Sequence, residues 1–174
     1  MSRSVVLVDA VRTPFGKAGS LYAGTRADDL IVRAMRGLLE RNPKIAPTDI
    51  DDVAIAAATQ SGDQGMNIGR SATLLAGLPT SVPGYSIDRW CAGALTAMTT
   101  IAGSIAMGAY DLGIAGGVEH MGNHPMGEGM DPNPRYLAEK IVEQDALAMG
   151  NTAERLHDRF PAITKERADK YALG

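Results

Sequence analysis

Residues 82–95 read VPGYSIDRWCAGAL and contain the only cysteine of the chain, Cys91. The stretch begins as a short apolar strand and continues as a helix of small residues, so Cys91 is expected at the corner between them. A thiol at the start of a helix lies beside unpaired backbone N–H groups and the positive end of the helix dipole, which favour the thiolate. Cys91 is therefore a candidate nucleophile. The alternative is an inert cysteine that packs as a small hydrophobic side chain.

Strands alternate with helices on both sides of this corner. Thr25 can cap the first predicted helix, and Gly77 ends the second. The order β-α-β-α-β-α-β predicts an α/β fold whose largely parallel sheet is covered on both faces. In such folds chemistry gathers at the carboxyl ends of the strands, where Cys91 lies. Apolar runs predict strands at 5–8, 52–56, 84–87 and 111–118, and helical spacing predicts helices at about 27–41 and 67–76.

The character of the sequence changes after the fourth predicted strand. Residues 120–136 are rich in Gly, Pro, Asn and Met, and a loop of this length in a compact domain is usually functional or interfacial. We therefore predict a domain boundary between residues 1–119, which carry Cys91, and residues 120–174. Helices are predicted over 137–147, from Asn151 with a capping-box Glu154 to about Phe160, and after a capping Thr164.

Composition narrows the range of functions. The chain has 174 residues, a net charge of −3 and no basic block, so nucleic acid is not an expected partner. A single cysteine excludes an internal disulfide framework, fits a reducing compartment such as the cytoplasm, and gives no pattern of metal ligands. The most apolar run, residues 92–110, contains threonines, a serine and glycines, which suit a buried helix better than a membrane span.

Five motifs stand in order and at sensible spacing along the chain. They are VDAVRTPFGK at 8–17, GMNIGRSATLLAGLP at 65–79, DRWCAG at 88–93, AGGVEHM at 115–121 and MGNTAE at 149–154. Together they resemble the motifs of the thiolase family, and the third is similar to the family's nucleophile motif, with Cys91 at the reactive position. The resemblance covers nearly all of the chain and implies a layered α/β/α/β/α fold. The chain would be its N-terminal half, with the helix after Cys91 as a buried central helix, followed by the start of a loop domain that covers the substrate.

The same resemblance implies acyl transfer through a cysteine thioester. The Cys91 thiolate would take an acyl group from an acyl-CoA or a 3-ketoacyl-CoA and pass it to CoA or to acetyl-CoA. CoA and acyl-CoA are then substrates, and no cofactor is implied. The backbone N–H of Cys91 would stabilise the oxyanion, and Met149 is the candidate for a contact with substrate. The family also implies a homodimer or a homotetramer.

The chain departs from the family pattern in ways that leave a second interpretation open. The Gly-His-Pro histidine, the asparagine and the Cys-x-Gly cysteine of the family's second half do not occur in this sequence, so we expect an N-terminal portion that is nearly inactive alone. After Cys91 the usual Gly or Ala, Ser, Gly is replaced by residues 92–94, AGA. Ala148 stands where members that favour acetyl groups often carry His, which leaves room for a longer acyl chain. The alternative is a thiolase-like protein that binds acyl-CoA or lipid, or dimerises, without catalysis.

Three polar residues outside the cysteine motif have two possible roles each. Glu119 either orients the active site or satisfies backbone groups at a strand end, and both interpretations remain open. His120 and His124 can bind a metal or a partner, but histidines in a Gly- and Pro-rich loop are more often simply exposed. His157 is expected on the surface of a helix.

Overall fold

The strand predicted at residues 52–56 forms the centre of the sheet in the structure, a computed structural model that describes residues 3–146 and 148–174. All five residues of this strand, Asp52–Ala56, are buried. The chain divides into two compact units after Gly129, and the first unit holds the sheet. Residues 120–129 belong to that first unit, while the functional boundary after residue 119 stays a prediction.

The first unit alternates helices and strands as the sequence predicts. The three strands of its described residues are parallel and lie in the order β2-β1-β3, so their carboxyl ends share one edge of the sheet. This confirms an α/β fold with a parallel sheet. The elements are α1 (Ala27–Arg41), β1 (Asp52–Ala56), α2 (Ile68–Ala76), β2 (Tyr85–Ile87), α3 (Gly93–Met107) and β3 (Gly113–Gly117).

Side chains of β1 alternate between the two faces of the sheet. Val53 and Ile55 pack into a cluster with Met35 of α1 and Ile68 of α2. Ala54 packs on the opposite face, where α3 covers it. Burying each large aliphatic side chain contributes about 1.5–3 kcal/mol, so the cluster against α1 and α2 is the main source of stability.

Helix α3 contacts the sheet along one side only. Ala97 and Ile101 are buried against it, whereas Leu95 and Met107 on other sides of the helix are 64% and 83% exposed in this chain. Residues Trp90–Met107 are also long and apolar enough to cross a membrane, by length and composition alone. Core helices of soluble proteins have the same length and composition, and α3 lies on a sheet through its small residues.

The strand predicted at residues 5–8 is wrong. These residues belong to no strand or sheet, and their side chains are 39% to 75% exposed. Contacts hold the segment at its two ends, where the Arg3 N–H donates to the Ala106 carbonyl and Asp9 accepts from Arg41 and Asn42. An apolar run becomes a strand only when a neighbouring strand pairs with it, and none does so within the described residues.

The start of α1 is capped by a residue distant in sequence. Thr25 was expected to cap this helix, but the N-cap residue is Arg26 and no side chain of its own segment forms a cap hydrogen bond. Asp63 takes this role, because its Oδ2 accepts from the Ala27 N–H at 2.9 Å. The predicted cap is therefore wrong, although the predicted bounds of the helix are confirmed.

The second unit contains three helices in its described residues, α4 (Arg135–Ala138), α5 (Met149–Arg159) and α6 (Lys165–Leu173). The helix predicted over 137–147 is wrong, because the backbone turns left-handed at Lys140, with φ of 54°; Leu147 lies outside the described residues. The capping box at Asn151 is also wrong, since α5 begins two residues earlier. Thr164 does cap α6, where its hydroxyl oxygen accepts from the Arg167 N–H.

Candidate active site

Cys91 lies at the carboxyl edge of the sheet, on the corner between β2 and α3. Strand β2 ends at Ile87, a single 3-10 turn spans Trp90–Ala92, and α3 begins at Gly93. The thiol is exposed, so the interpretation of Cys91 as a buried packing residue is wrong. Its role as a nucleophile stays a prediction that this position permits.

The backbone around Cys91 leaves one amide without an acceptor. The Trp90 N–H donates to Asp88 Oδ1 at 3.1 Å, and the Ala92 N–H donates to the Arg89 carbonyl at 3.1 Å. Between them, the Cys91 N–H has no hydrogen bond to any residue that the structure describes. An unpaired N–H beside a thiol is the donor that a tetrahedral intermediate requires for its oxyanion.

Trp90 adopts the left-handed region, with φ of 47°. A bulky residue in this region costs about 1–3 kcal/mol and persists only where its surroundings hold it. The hydrogen bond from its N–H to Asp88 supplies part of that restraint. The strained residue therefore turns the chain sharply just before Cys91, which exposes the thiol at the corner.

A buried polar network ties together the ends of β1 and β3. Gln64 is fully buried, and its amide donates to the Thr59 carbonyl at 2.7 Å and to Glu119 Oε1 at 2.9 Å. The other carboxylate oxygen of Glu119 accepts from the Ala58 N–H at 2.7 Å. Glu119 thus satisfies backbone groups that follow β1, which was one of its two predicted roles.

His120 belongs to the same network and is buried, so the prediction of an exposed side chain is wrong. Its backbone N–H donates to Gln64 Oε1 at 2.7 Å. Its Nδ1 accepts from the Asn123 N–H at 3.2 Å, and its Nε2 lies 3.0 Å from the Tyr22 carbonyl. These partners require the proton on Nε2 in the neutral ring, so both ring nitrogens are engaged.

His124 is also buried, against expectation, and it lies between two carboxylates. Its Nε2 is 2.5 Å from Asp63 Oδ1 and its Nδ1 is 2.9 Å from Glu128 Oε2. The hydrogen bond to Asp63 raises the pKa of His124 above 6.5, burial lowers it, and the contact with Glu128 raises it further. Because carboxylate oxygens only accept, an imidazolium satisfies both contacts.

The pKa of Asp63 moves in the opposite direction. Burial alone would raise it, but the hydrogen bonds from His124 and from the Ala27 N–H outweigh burial and hold the pKa below 3.8. The nearby Arg26 guanidinium acts in the same sense. The pair therefore fastens the loop of His124 to the start of α1, and the two pKa shifts favour the charged form of each member.

The stability of the chain is expected to fall with rising pH because of His124. Its raised pKa stabilises the fold fully below the ordinary value of 6.5, and this contribution disappears as the pH rises through the higher folded value. Asp63 affects stability on the acidic side of the pH range. Its contribution to stability is lost only as the pH falls through its lowered pKa. Each unit of pKa shift corresponds to about 1.4 kcal/mol.

Urea unfolding of the wild type and of His124→Gln, followed from about pH 6 to about pH 9, measures this contribution. The free energy of unfolding of the wild type should decline over that range, and the decline should be absent from the variant. Parallel curves for the two proteins would show that the fold does not raise the pKa of His124.

Met149 is the first residue of α5 and is 60% exposed. It belongs to the second unit, and its predicted contact with substrate stays a prediction. His157 of the same helix donates through its Nδ1–H to the Ile163 carbonyl. Among the residues that the structure describes, no three His, Cys, Asp or Glu side chains are arranged to hold a metal ion.

Gln64 and Asp63 are the functional candidates that the sequence analysis missed. Both lie in the turn that follows β1, at the same edge of the sheet as Cys91. Their position in the sequence could have identified them, because they form a polar pair after the carboxyl end of a buried strand. Parallel folds concentrate chemistry at such strand ends. Their partners, Glu119 and His124, lie 55 and 61 residues further along the chain.

The sequence that forms this corner belongs to a longer stretch that is similar to known proteins. The model of the thiolase N-terminal domain matches residues 5–174. The chain belongs to the thiolase family. The predicted thiolase-like α/β fold is confirmed, and the role of Cys91 as the nucleophile stays a prediction.

Curated relatives of this thiolase chain are named 3-ketoacyl-CoA thiolase. The protein of Pseudoalteromonas translucida is 43% identical over 168 residues, which are 96% of this chain and 42% of that protein. The protein of Idiomarina loihiensis is 39% identical over 170 residues, 97% of this chain and 43% of that protein. The chain therefore spans less than half the length of these relatives.

A solved structure shows the same fold. The crystal structure of the Bacillus anthracis acetyl-CoA acetyltransferase superposes with a TM-score of 0.77 and 31% sequence identity. The match covers 99% of this chain and 45% of that one. The two kinds of relative bear names that refer to different substrates, so the names alone do not assign a substrate to this chain.

Proposed function

We propose that this chain is the nucleophile-bearing part of a thiolase that transfers acyl groups between a Cys91 thioester and CoA or acetyl-CoA. The observation that carries the proposal is an exposed thiol beside an unpaired amide, at the strand-to-helix corner of a thiolase N-terminal domain. Relatives named 3-ketoacyl-CoA thiolase support cleavage of 3-ketoacyl-CoA as the reaction. Acyl-CoA and CoA are then substrates, and the enzyme is an acyltransferase that needs no cofactor.

The proposed reaction has two steps. The Cys91 thiolate attacks the 3-keto carbon of a 3-ketoacyl-CoA, and the tetrahedral intermediate expels the C2 carbanion of acetyl-CoA, which takes up a proton. In the tetrahedral intermediate, the Cys91 N–H donates a hydrogen bond to the oxyanion that forms at the 3-keto oxygen. The thiolate of a second CoA then attacks the Cys91 thioester, and the acyl-CoA product leaves as the Cys91 thiolate returns.

The proton transfers of this reaction need groups from outside the described chain. His120 and His124 have both ring nitrogens engaged in hydrogen bonds, so neither is free to act as the base. We therefore propose that a further protein segment supplies the acid and base and that the 174-residue chain alone has little activity. The side chains of Leu95 and Met98 are apolar and exposed on α3. Their exposure supports the proposal that a further protein segment covers this side of the helix.

The preferred acyl chain, the location and the assembly of the protein are further proposals. Ala148 before the Met149-Gly150 pair supports a preference for acyl groups longer than acetyl, with Met149 as a contact. A single cysteine and no basic block support the cytoplasm as the location, without nucleic acid or membrane as partner. A homodimer or homotetramer is the proposed assembly.

A second candidate function is binding of acyl-CoA or lipid, or dimerisation, without catalysis. The altered residues 92–94 after Cys91 favour it. A substitution in the nucleophile motif can remove catalysis while the fold and the substrate pocket survive. This candidate predicts binding of acyl-CoA without turnover.

Thiolysis by the product of the complete gene decides between the two candidates. Purified protein is mixed with CoA and either acetoacetyl-CoA or a long-chain 3-ketoacyl-CoA, and the loss of the ketoacyl substrate is followed. We expect CoA-dependent cleavage that is faster with the longer substrate. A folded protein that binds acyl-CoA in calorimetry but cleaves neither substrate would refute the enzyme and support the second candidate.

A further inference from the structure

The first residue of α3 makes an unusually close approach to the sheet. A Cβ atom built on Gly93 would lie 2.7 Å from the Cβ of Ala56, the last residue of β1. Carbon atoms in contact prefer a separation of about 3.5–4.0 Å. Position 93 can therefore carry no side chain while Ala56 keeps its methyl group and the helix keeps its place.

The neighbouring strand end is packed in the same way. Gly117 of β3 pairs with Ala56 across the sheet, and a Cβ on Gly117 would lie 3.2 Å from the Cβ of Ala94 and 3.1 Å from the Ala56 carbonyl oxygen. On its other side, Ala56 pairs with Ile87, from which the chain runs to Cys91. The start of α3 thus rests on Ala56, between the ends of the two outer strands.

We propose that Ala56 and Gly93 are a size-matched pair that positions Cys91, so that the methyl group of one occupies the space that a side chain at the other would fill. The pair gives a steric reason for the absence of a side chain at position 93, which is one of the departures from the family pattern after Cys91. The role in catalysis rests on the proposed function of Cys91, whereas the steric pairing does not.

The pairing makes a specific prediction for substitutions. A side chain at position 93 alone must push the first turn of α3 away from β1, and the Cys91 thiol and its amide move with that turn. Replacing Ala56 with Gly opens the required space. The two changes together should therefore restore what the first one disturbs.

The control for Gly93→Ala lies on the same helix. Gly103 is also in α3, but a Cβ on Gly103 meets nothing within 4 Å. Gly103→Ala adds the same methyl group, with the same kind of gain in helix propensity, without contact with the sheet. Any effect of Gly93→Ala that Gly103→Ala does not share comes from the contact with Ala56.

Alkylation of the 174-residue chain by iodoacetamide reports on Cys91 alone, because the chain has no other thiol. We expect the rate for Gly93→Ala to fall severalfold, and its pH profile to move, since the displaced turn carries the thiol away from the unpaired amides and the helix terminus that favour the thiolate. Ala56→Gly/Gly93→Ala should react within about twofold of the wild type, as should Gly103→Ala. Circular dichroism confirms that each variant is folded.

Two results would overturn the pairing. One is a folded Gly93→Ala with the wild-type rate and pH profile, which is what a purely structural glycine would give. The other is a double variant that does not recover, and this result decides the matter even if Gly93→Ala alone fails to fold. If the wild-type chain alkylates normally but the complete protein never accepts an acyl group on Cys91, the proposed function is refuted and the pairing is left intact.

Discussion

Cys91→Ser is expected to lower the rate of 3-ketoacyl-CoA thiolysis by the complete enzyme by at least about 10⁴-fold, which is the scale seen when a nucleophile is removed. A serine hydroxyl is almost entirely unionised near neutral pH and forms an ester, which passes its acyl group to CoA far less readily than a thioester does. The exposed position of Cys91 means that the change removes no packing. The rate should therefore fall while the fold stays unchanged.

Steady-state kinetics at saturating CoA, with Gly37→Ala in α1 as a control variant, check this result. Gly37→Ala should keep the wild-type rate, because its added methyl group meets no other atoms of this chain and α1 packs on the face of the sheet opposite α3. If Cys91→Ser retained thiolysis within about tenfold of the wild type, another group would have to carry the acyl chain.

Gln64→Leu is expected to lower the free energy of unfolding by about 3 kcal/mol, because each unsatisfied buried polar group costs about 1–3 kcal/mol. Leucine has a similar volume but neither donates nor accepts. The substitution leaves the Thr59 carbonyl and the His120 N–H without their partner at Gln64, and it removes one donor from Glu119. The ends of β1 and β3 should loosen together.

Denaturant unfolding of Gln64→Leu against Gln60→Leu measures this effect. Gln60 is exposed and makes a single hydrogen bond of 3.3 Å, to the Ala57 carbonyl. Its substitution should cost less than about 1 kcal/mol, because one long, exposed hydrogen bond contributes little. Equal losses for the two variants would mean that the buried network does not stabilise the strand ends.

Local sequence patterns predict correctly the helices and strands whose apolar residues face the core of this chain. The predicted bounds of α1 and β1 agree with the structure, because their apolar residues face a core inside the chain. Residues 5–8 carry the same kind of pattern, but no strand lies beside them in the part of the chain that the structure describes. An apolar run predicts that a segment tends to be buried. Whether the segment forms a strand depends on a partner strand from a distant part of the sequence.

Hydrogen-bond partners were harder to predict than elements. Thr25 has the right residue type and position for a cap, yet Asp63, 36 residues beyond Ala27, caps the helix instead. His120 and His124 were placed on the surface because their loop is polar, but each has partners from distant segments that permit burial. Such pairs form only when the fold has brought the strand ends together.

The corner at Cys91 was predictable because it depends on local sequence and on chain direction. The apolar residues before it and the small residues after it specify a strand followed by a helix, and parallel topology places that corner at the functional edge. The size relation between Ala56 and Gly93 was not predictable, since it depends on how far α3 stands from β1.

Trapping the acyl group tests the account most directly. The complete protein is mixed with acetyl-CoA or a longer acyl-CoA, quenched in acid, and digested for peptide mass spectrometry. The account predicts one acyl group on the peptide that contains Cys91, lost when CoA is added before the quench. An acyl group on any other peptide, or an adduct of equal yield in Cys91→Ser, would contradict it.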